Sequence, residues 1–279
     1  MRPTTLQFGN LRLQGWSEAG SETWFRVHPP GLALDAGRGA PQLAGAADVF
    51  LTHGHLDHAL GAAYVLSQRT RHQGAGTRVF APAEVLADLE AMVRAAGRME
   101  RTEYDVELTG LAAGDRVPVG RGLVIEAFAT DHVVPSLGYH LVRVKHRLRE
   151  PYRGLPGAEL ARLRTAGEET EEPVEELALT YCGDTGPGVF ELEPRLFEAG
   201  VLVLECTFLG AAKRDNAALY KHLHVEDLAE RRERFRNHAL VLHHLSRRHR
   251  VTDLRREVET RMPELAERIH IVGEGDPER

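Results

Sequence analysis

A chain of 279 residues with 42% hydrophobic and 27% charged side chains is long enough to close its own core, and its ordinary composition excludes a low-complexity or disordered protein. A formal net charge of −6 excludes the overall basic excess of a dedicated nucleic-acid-binding domain, so any RNA must meet locally gathered cations or metal charge. Two cysteines, no apolar leader and no apolar run near the ~20 residues of a membrane helix point to the reducing cytoplasm as the expected setting, with no membrane partner.

From the N-terminus, residues 11–13, 23–27 and 31–35 read as short strands between Gly and Pro turns. Residues 48–52 form a short buried strand that runs straight into a group of histidines. Helical spacing follows His58, through Leu60, Ala63, Tyr64 and Leu66. Residues 79–81 are strand-like, and Pro82 is expected to open a helix carrying Val85, Leu86, Leu89, Met92 and Val93. Stretches 117–119 and 123–128 predict a hairpin turned by Gly120-Arg121-Gly122.

Another strand covers 139–144. Residues 145–164, basic and broken by Pro151 and Pro156, and the acidic run 168–176 read together as an inserted arm or loop rather than core. Strands at 177–181 and 201–205, a helix at 225–236, a strand at 239–242 and a closing helix at 251–261 complete the chain. No repeat of about 20–50 residues is visible. This order suits a two-sheet core flanked by helices, one domain over 1–279 with an arm at 145–176. Periodicity alone does not separate it from other α/β layouts.

Histidine is the unusual component, at 15 copies, with seven gathered as His53/His55/His58, His222/His224 and His243/His244. The densest string is Thr52-His53-Gly54-His55-Leu56-Asp57-His58. Imidazole nitrogens and carboxylate oxygens are the ligands of catalytic zinc. His53 and His55 are two apart, so an extended segment points them the same way. Asp57 and His58 open the next helix and can serve a second ion. A polar loop or a set of histidine caps is the plain alternative, and it does not account for this density.

Further along come Leu32-Ala33-Leu34-Asp35-Ala36-Gly37-Arg38, then Thr130-Asp131-His132 leading to Gly138-Tyr139, then Arg147-Leu148-Arg149-Glu150-Pro151-Tyr152-Arg153. Gly183-Asp184-Thr185, Leu204-Glu205-Cys206-Thr207-Phe208, His222-Leu223-His224 and His243-His244-Leu245-Ser246-Arg247-Arg248 follow. The first string is the signature of the metallo-β-lactamase fold. In order and together, these motifs resemble the ribonuclease Z branch of that fold, in its short, plant-type form. His243 stands where that branch has Thr, and His249 where it has an aromatic residue.

The resemblance implies an α/β fold, a four-layer αββα sandwich with a short arm. It implies two zinc ions, with manganese or iron able to occupy the same donors. His53, His55 and His132 would hold one ion; Asp57, His58 and His244 the other; Asp184 would bridge them. Asp35 would orient a ligand imidazole from behind. Asp57 would also take the proton of the attacking water, and Glu205 with His222 would protonate the leaving ribose oxygen. Ser246 and Arg248 would meet the substrate phosphate. Lys145, Arg147, Arg149 and Arg153 would grip RNA by salt-sensitive phosphate contacts. The roles of His224 and His243 stay open.

The activity so implied is removal of the 3′ trailer of precursor tRNA by a homodimer in which one subunit's arm serves the other's site. A small-molecule phosphodiesterase, or another metal-dependent hydrolase of the same fold, is the competing reading, favoured by the acidic balance and short arm. A non-enzymatic metal-binding protein would leave Glu205 and His222 idle.

Overall fold

The computed structural model describes residues 2–71 and 76–276. Met1, 72–75 and 277–279, parts of the expected 1–279 domain, lie outside the described residues. Within them the chain lays down two seven-stranded sheets, each in strict chain order. The first contains β1 (Thr4–Phe8), β2 (Leu11–Glu18), β3 (Glu22–His28), β4 (Leu32–Leu34), β5 (Asp48–Phe50), β6 (Thr77–Pro82) and β7 (Val106–Leu111). The second contains β8 (Arg116–Gly120), β9 (Leu123–Ala129), β10 (Leu137–Leu148), β11 (Glu171–Tyr181), β12 (Val201–Glu205), β13 (Ala239–His243) and β14 (Ile269–Ile271). In each sheet the first four strands pair antiparallel and the last four parallel. The two halves thus share one topology that no sequence repeat announces.

The helices are α1 (Leu56–Ala59), α2 (Ala62–Arg71), α3 (Leu86–Glu100), α4 (Gly157–Thr165), α5 (Val189–Leu192), α6 (Arg214–Tyr220), α7 (Val225–Ala229) and α8 (Val251–Arg261). Three apolar layers separate four layers of structure. Val65, Leu66, Leu89 and Val93 of α2 and α3 pack on Trp24, Val49 and Val79 of the first sheet. Phe25, Val27, Leu34 and Phe50 meet Tyr139, Leu141, Tyr181 and Val203 between the sheets. Leu228, Leu254 and Val258 of α7 and α8 cover Leu202, Leu204, Leu240 and Leu242. This is an αββα sandwich. Strand alternation does the sorting: in β12, Val201 and Val203 face the inter-sheet core while Leu202 and Leu204 face the helices. Both faces are buried, so the strand is apolar throughout, as parallel interior strands are.

Several sequence expectations shift. No helix starts at Pro82; β6 runs through it, a 3-10 turn follows at Ala83–Val85, and α3 begins at Leu86. The helix expected over 225–236 stops at Ala229. A turn then seats Phe235 in a buried aromatic group with Phe190 and Phe197, with Arg231 and Arg234 lying over those rings. That packing outweighs the local helical preference of the charged run.

The segment 145–176, expected as an inserted arm or loop, is built of regular elements. β10 and β11 extend together beyond the sheet, and α4 fills the far end. Its strands carry opposed charges rather than alternating apolar residues. Arg143 faces Glu176 and Arg147 faces Glu172 in register, at 3.1 and 2.7 Å. Such cross-strand pairs hold a ribbon that buries little.

Candidate metal centre

The site gathers at the carboxyl ends of the parallel strands. His53 follows β5, Asp184 follows β11, Glu205 ends β12 and His244 follows β13, while His132 comes from the loop after β9. Ligand sites in sheets of this kind form there because the backbone must leave the sheet. Gly183 makes one such departure. Its φ is +61°, and a Cβ there would lie 2.7 Å from the Thr52 methyl, so only glycine brings Asp184 this close to the first sheet.

Asp184 sits at the centre. Its Oδ2 lies 3.3 Å from His244 Nε2, 3.4 Å from His58 Nε2 and 3.9 Å from His53 Nε2. One converging set of ligand atoms comprises His53, His55, His132 and Asp184; a second comprises Asp57, His58 and His244. Glu205 and His222 also lie within ligating reach of Asp184 and His244. Asp57 Oδ2 is 3.7 Å from His244 Nε2 and 3.8 Å from His58 Nε2.

The imidazoles are held from behind. His58 Nδ1 meets Asp35 Oδ2 at 2.8 Å. His53 Nδ1 meets Thr52 Oγ1 at 2.9 Å, and that hydroxyl donates onward to Asp35. His132 Nδ1 donates to the Lys221 carbonyl at 3.3 Å. His244 Nδ1 meets Thr207 Oγ1 at 3.0 Å, and Thr207 donates to Glu205 Oε2. In each, the proton on the outer nitrogen faces away from the centre, so Nε2 is the nitrogen that can offer a lone pair inward to a cation. This is how ligand imidazoles are fixed around metals. His55 closes the ring, its Nδ1 3.3 Å from His132 Nε2.

Asp35 is therefore a hub. It also accepts the Tyr181 hydroxyl at 2.6 Å and the Thr52 backbone N–H at 2.7 Å, and its own φ of +55° is unusual for a side-chain-bearing residue.

Electrostatics favour a cation. Burial and the neighbouring His58 hold His53 well below the usual imidazole range, and burial also lowers His55 and His132. These rings are neutral donors. Burial opposes the charge of Asp184, yet His244 and His58 hold its carboxyl well below its ordinary value. Burial likewise opposes a charge on His58, but Asp184 and Asp35, one at each nitrogen, raise it well above its ordinary value. His53 Nε2 and Asp184 Oδ1 are buried without a hydrogen-bond partner. Orphaned polar atoms of this kind cost roughly 1–3 kcal/mol each unless something polar joins them. Neutral imidazole lone pairs, ionised carboxylates and two orphaned atoms facing one centre fit a divalent metal.

Beside this centre, His222 Nδ1 donates to Glu205 Oε1 at 2.7 Å. Glu205 is fully buried and saturated, accepting also from the Thr185 and Leu223 backbone N–H groups. Burial lowers the His222 pKa, but the Glu205 charge and hydrogen bond outweigh it and raise it to about 9. A protonated imidazole therefore stands over the site, its ring 5.2 Å from that of His244.

The remaining expected residues take different places. Ser246 lies two residues after His244, its backbone N–H on the Thr207 carbonyl at 3.1 Å, and the Arg248 side chain is exposed beyond it. Lys145 pairs with Glu176, Arg147 with Glu172, Arg149 with Glu169 and Arg153 with Glu150. Each of these four basic residues thus faces a carboxylate of the same segment. His224 caps α7, its Nδ1 accepting from the Glu226 N–H at 3.2 Å. His243 points away from the centre into the inter-sheet core, against Phe25 and Tyr181. Thr52, Thr207 and Tyr181 belong to the site's support; Thr52 and Thr207 stand inside the motif strings, but the sequence assigns none of the three a role.

The chain belongs to the family described as the beta-lactamase superfamily domain, which matches residues 30–245, and within it to the ribonuclease Z family. It is 28% identical to tRNase Z TRZ1 of Arabidopsis thaliana over 274 residues, 97% of this chain and 98% of that protein. It is 33% identical to the nuclear ribonuclease Z of Triticum aestivum over 170 residues, 61% of this chain and 96% of that protein. The metallo-beta-lactamase fold protein YhfI from Bacillus subtilis shares the fold at a TM-score of 0.64 and 14% identity, covering 94% of this chain and 95% of its own.

Proposed function

We propose that this chain is a zinc-dependent endoribonuclease that removes the 3′ trailer of precursor tRNA, leaving a 3′-hydroxyl. The observation that carries the reading is the outward tethering of His53, His58, His132 and His244 around Asp184, in a chain so similar to tRNase Z proteins. His53, His55 and His132 would hold one ion, Asp57, His58 and His244 a second, and Asp184 both. Divalent ions, when bound, would supply positive charge against the phosphate and lower the pKa of the attacking water. Asp57 Oδ2, at the rim of the site, accepts that water's proton. His222, held protonated by Glu205, delivers a proton to the departing ribose oxygen. Ser246 and Arg248, on the loop after β13, meet the phosphate.

We read the chain as one domain with the arm at 145–176 inserted, working as a homodimer in the cytoplasm. Leu56, Leu60 and Tyr64, spaced four apart and exposed beside the site, offer an apolar stripe a second copy would cover. The two buried free cysteines suit a reducing compartment.

One observation favours a small phosphodiester as substrate instead: Lys145, Arg147, Arg149 and Arg153 are each matched by a carboxylate of the same segment. The zinc-loaded protein should therefore be offered a trailer-bearing precursor tRNA beside bis(p-nitrophenyl) phosphate, with His55→Ala and Asp184→Ala variants as controls. Trailer removal lost in both variants is the expected result. Diester turnover without tRNA cleavage would overturn the tRNA reading and keep the metal centre.

A further inference from the structure

The turn between β2 and β3 belongs to the first sheet, yet its polar groups end on residues of the metal centre. The Gly20 backbone N–H donates to Asp57 Oδ2 at 2.9 Å. The Ala19 N–H donates to the Leu245 carbonyl at 3.3 Å, and Glu18 lies 3.7 Å from Arg247. Ser17 Oγ accepts the backbone N–H of His244 at 3.0 Å. The same hydroxyl meets His243 Nδ1 at 3.1 Å and Thr23 Oγ1 at 2.9 Å. Ser17 and His244 are 227 residues apart in the chain and are both buried.

His244 needs this support. Its φ is +59°, a left-handed conformation that costs a side-chain-bearing residue roughly 1–3 kcal/mol and persists only where surroundings impose it. That twist lets the chain turn His243 into the core and His244 into the site. A buried backbone N–H without an acceptor would add a further penalty. Ser17 supplies the acceptor, and His243, with its Nδ1 on Ser17 and its ring between Phe25 and Tyr181, holds the hydroxyl in place. This answers the role left open for His243.

The tethers fall on one ligand group only. Asp57 and His244 both belong to the Asp57/His58/His244 set, whereas His53 and His132 are tied to Thr52 and Lys221, away from this turn. We propose that the β2–β3 turn, through Ser17 Oγ and the Gly20 N–H, is a positioning device that sets metal affinity at the Asp57/His58/His244 position selectively. The inference rests on the two-ion reading above. Ser17 touches neither substrate nor ion and acts through His244.

The zinc-loaded protein is challenged with rising concentrations of a chromophoric chelator, following zinc released per chain and the melting temperature. The wild type should release two equivalents. In Ser17→Ala one equivalent should leave at a chelator concentration roughly 10–100-fold lower, the range seen when a group behind a ligand is removed, while the other is unchanged. Thr23→Val removes the hydroxyl behind Ser17 and keeps the acceptor for His244; it should lower the melting temperature and leave both equivalents as in the wild type. If Ser17→Ala does not fold, Ser17→Cys, with its weaker acceptor, should show the same selective release. Equal release from wild type and variant, or an equal shift of both equivalents, overturns the proposal. A wild type holding fewer than two equivalents refutes the two-ion reading itself, before any variant is compared.

Discussion

At the level of single residues, the proposed chemistry divides between Asp184 and His222. Among the described residues, Asp184 is the only carboxylate within 4 Å of His53, His58 and His244 alike, and its Oδ1 has no hydrogen-bond partner. His222 is tied by one nitrogen to Glu205 and so keeps the other for a proton. His222→Gln should lower the rate of tRNA cleavage by about 10²–10⁴-fold, the usual contribution of general acid catalysis, with substrate affinity little changed. Bis(p-nitrophenyl) phosphate turnover should be spared, because its leaving group departs without a proton. A comparable loss on both substrates, measured as kcat and KM, would remove His222 from the acid role. At this scale the candidate donors were legible because they are compressed in the chain: three imidazoles and a carboxylate within six residues have few other uses. Ser17, Thr52, Thr207 and Tyr181 were not legible. Their hydroxyls acquire a role only when the fold sets them behind an imidazole or carboxylate, and a sequence does not display such juxtaposition.

Among the elements, the proposed arm is where paired surface charge is concentrated on two strands. β10 and β11 pair far beyond the sheet, held by contacts such as Arg147 to Glu172 and Lys145 to Glu176. Exposed pairs of this kind contribute little, typically under ~1 kcal/mol, so phosphate can compete for the cations. Glu172→Gln should free Arg147, tighten tRNA binding and steepen its salt dependence by about one unit of log–log slope. Filter binding across a salt series checks this, and an unchanged slope would mean the arm does not meet RNA. The arm's strands escaped the sequence reading because both faces are solvated and no apolar alternation marks them. β1, β7 and β14 escaped it too: they are short and lie at sheet edges, where one face is partly polar. By contrast β12, β13 and α8 emerged at their true positions, since apolar runs bounded by polar turns and a clear helical stripe leave little choice.

Across the whole molecule, two halves of one topology stack face to face and bring the ends of β5, β11, β12 and β13 to a common edge. The first sheet contributes His53, His55, Asp57 and His58, the second His132, Asp184, Glu205 and His244. Neither sheet holds a complete centre, so the inter-sheet core of Phe25, Phe50, Tyr139 and Tyr181 is what makes the catalyst. The most direct test of this account uses a 5′-labelled precursor tRNA, the metal-loaded protein and its Asp184→Asn variant, and reads the 3′ end of the product. Water attack assisted by this centre predicts a 3′-hydroxyl at the trailer junction, abolished by Asp184→Asn. A 2′,3′-cyclic phosphate, or cleavage that survives the substitution, would contradict it.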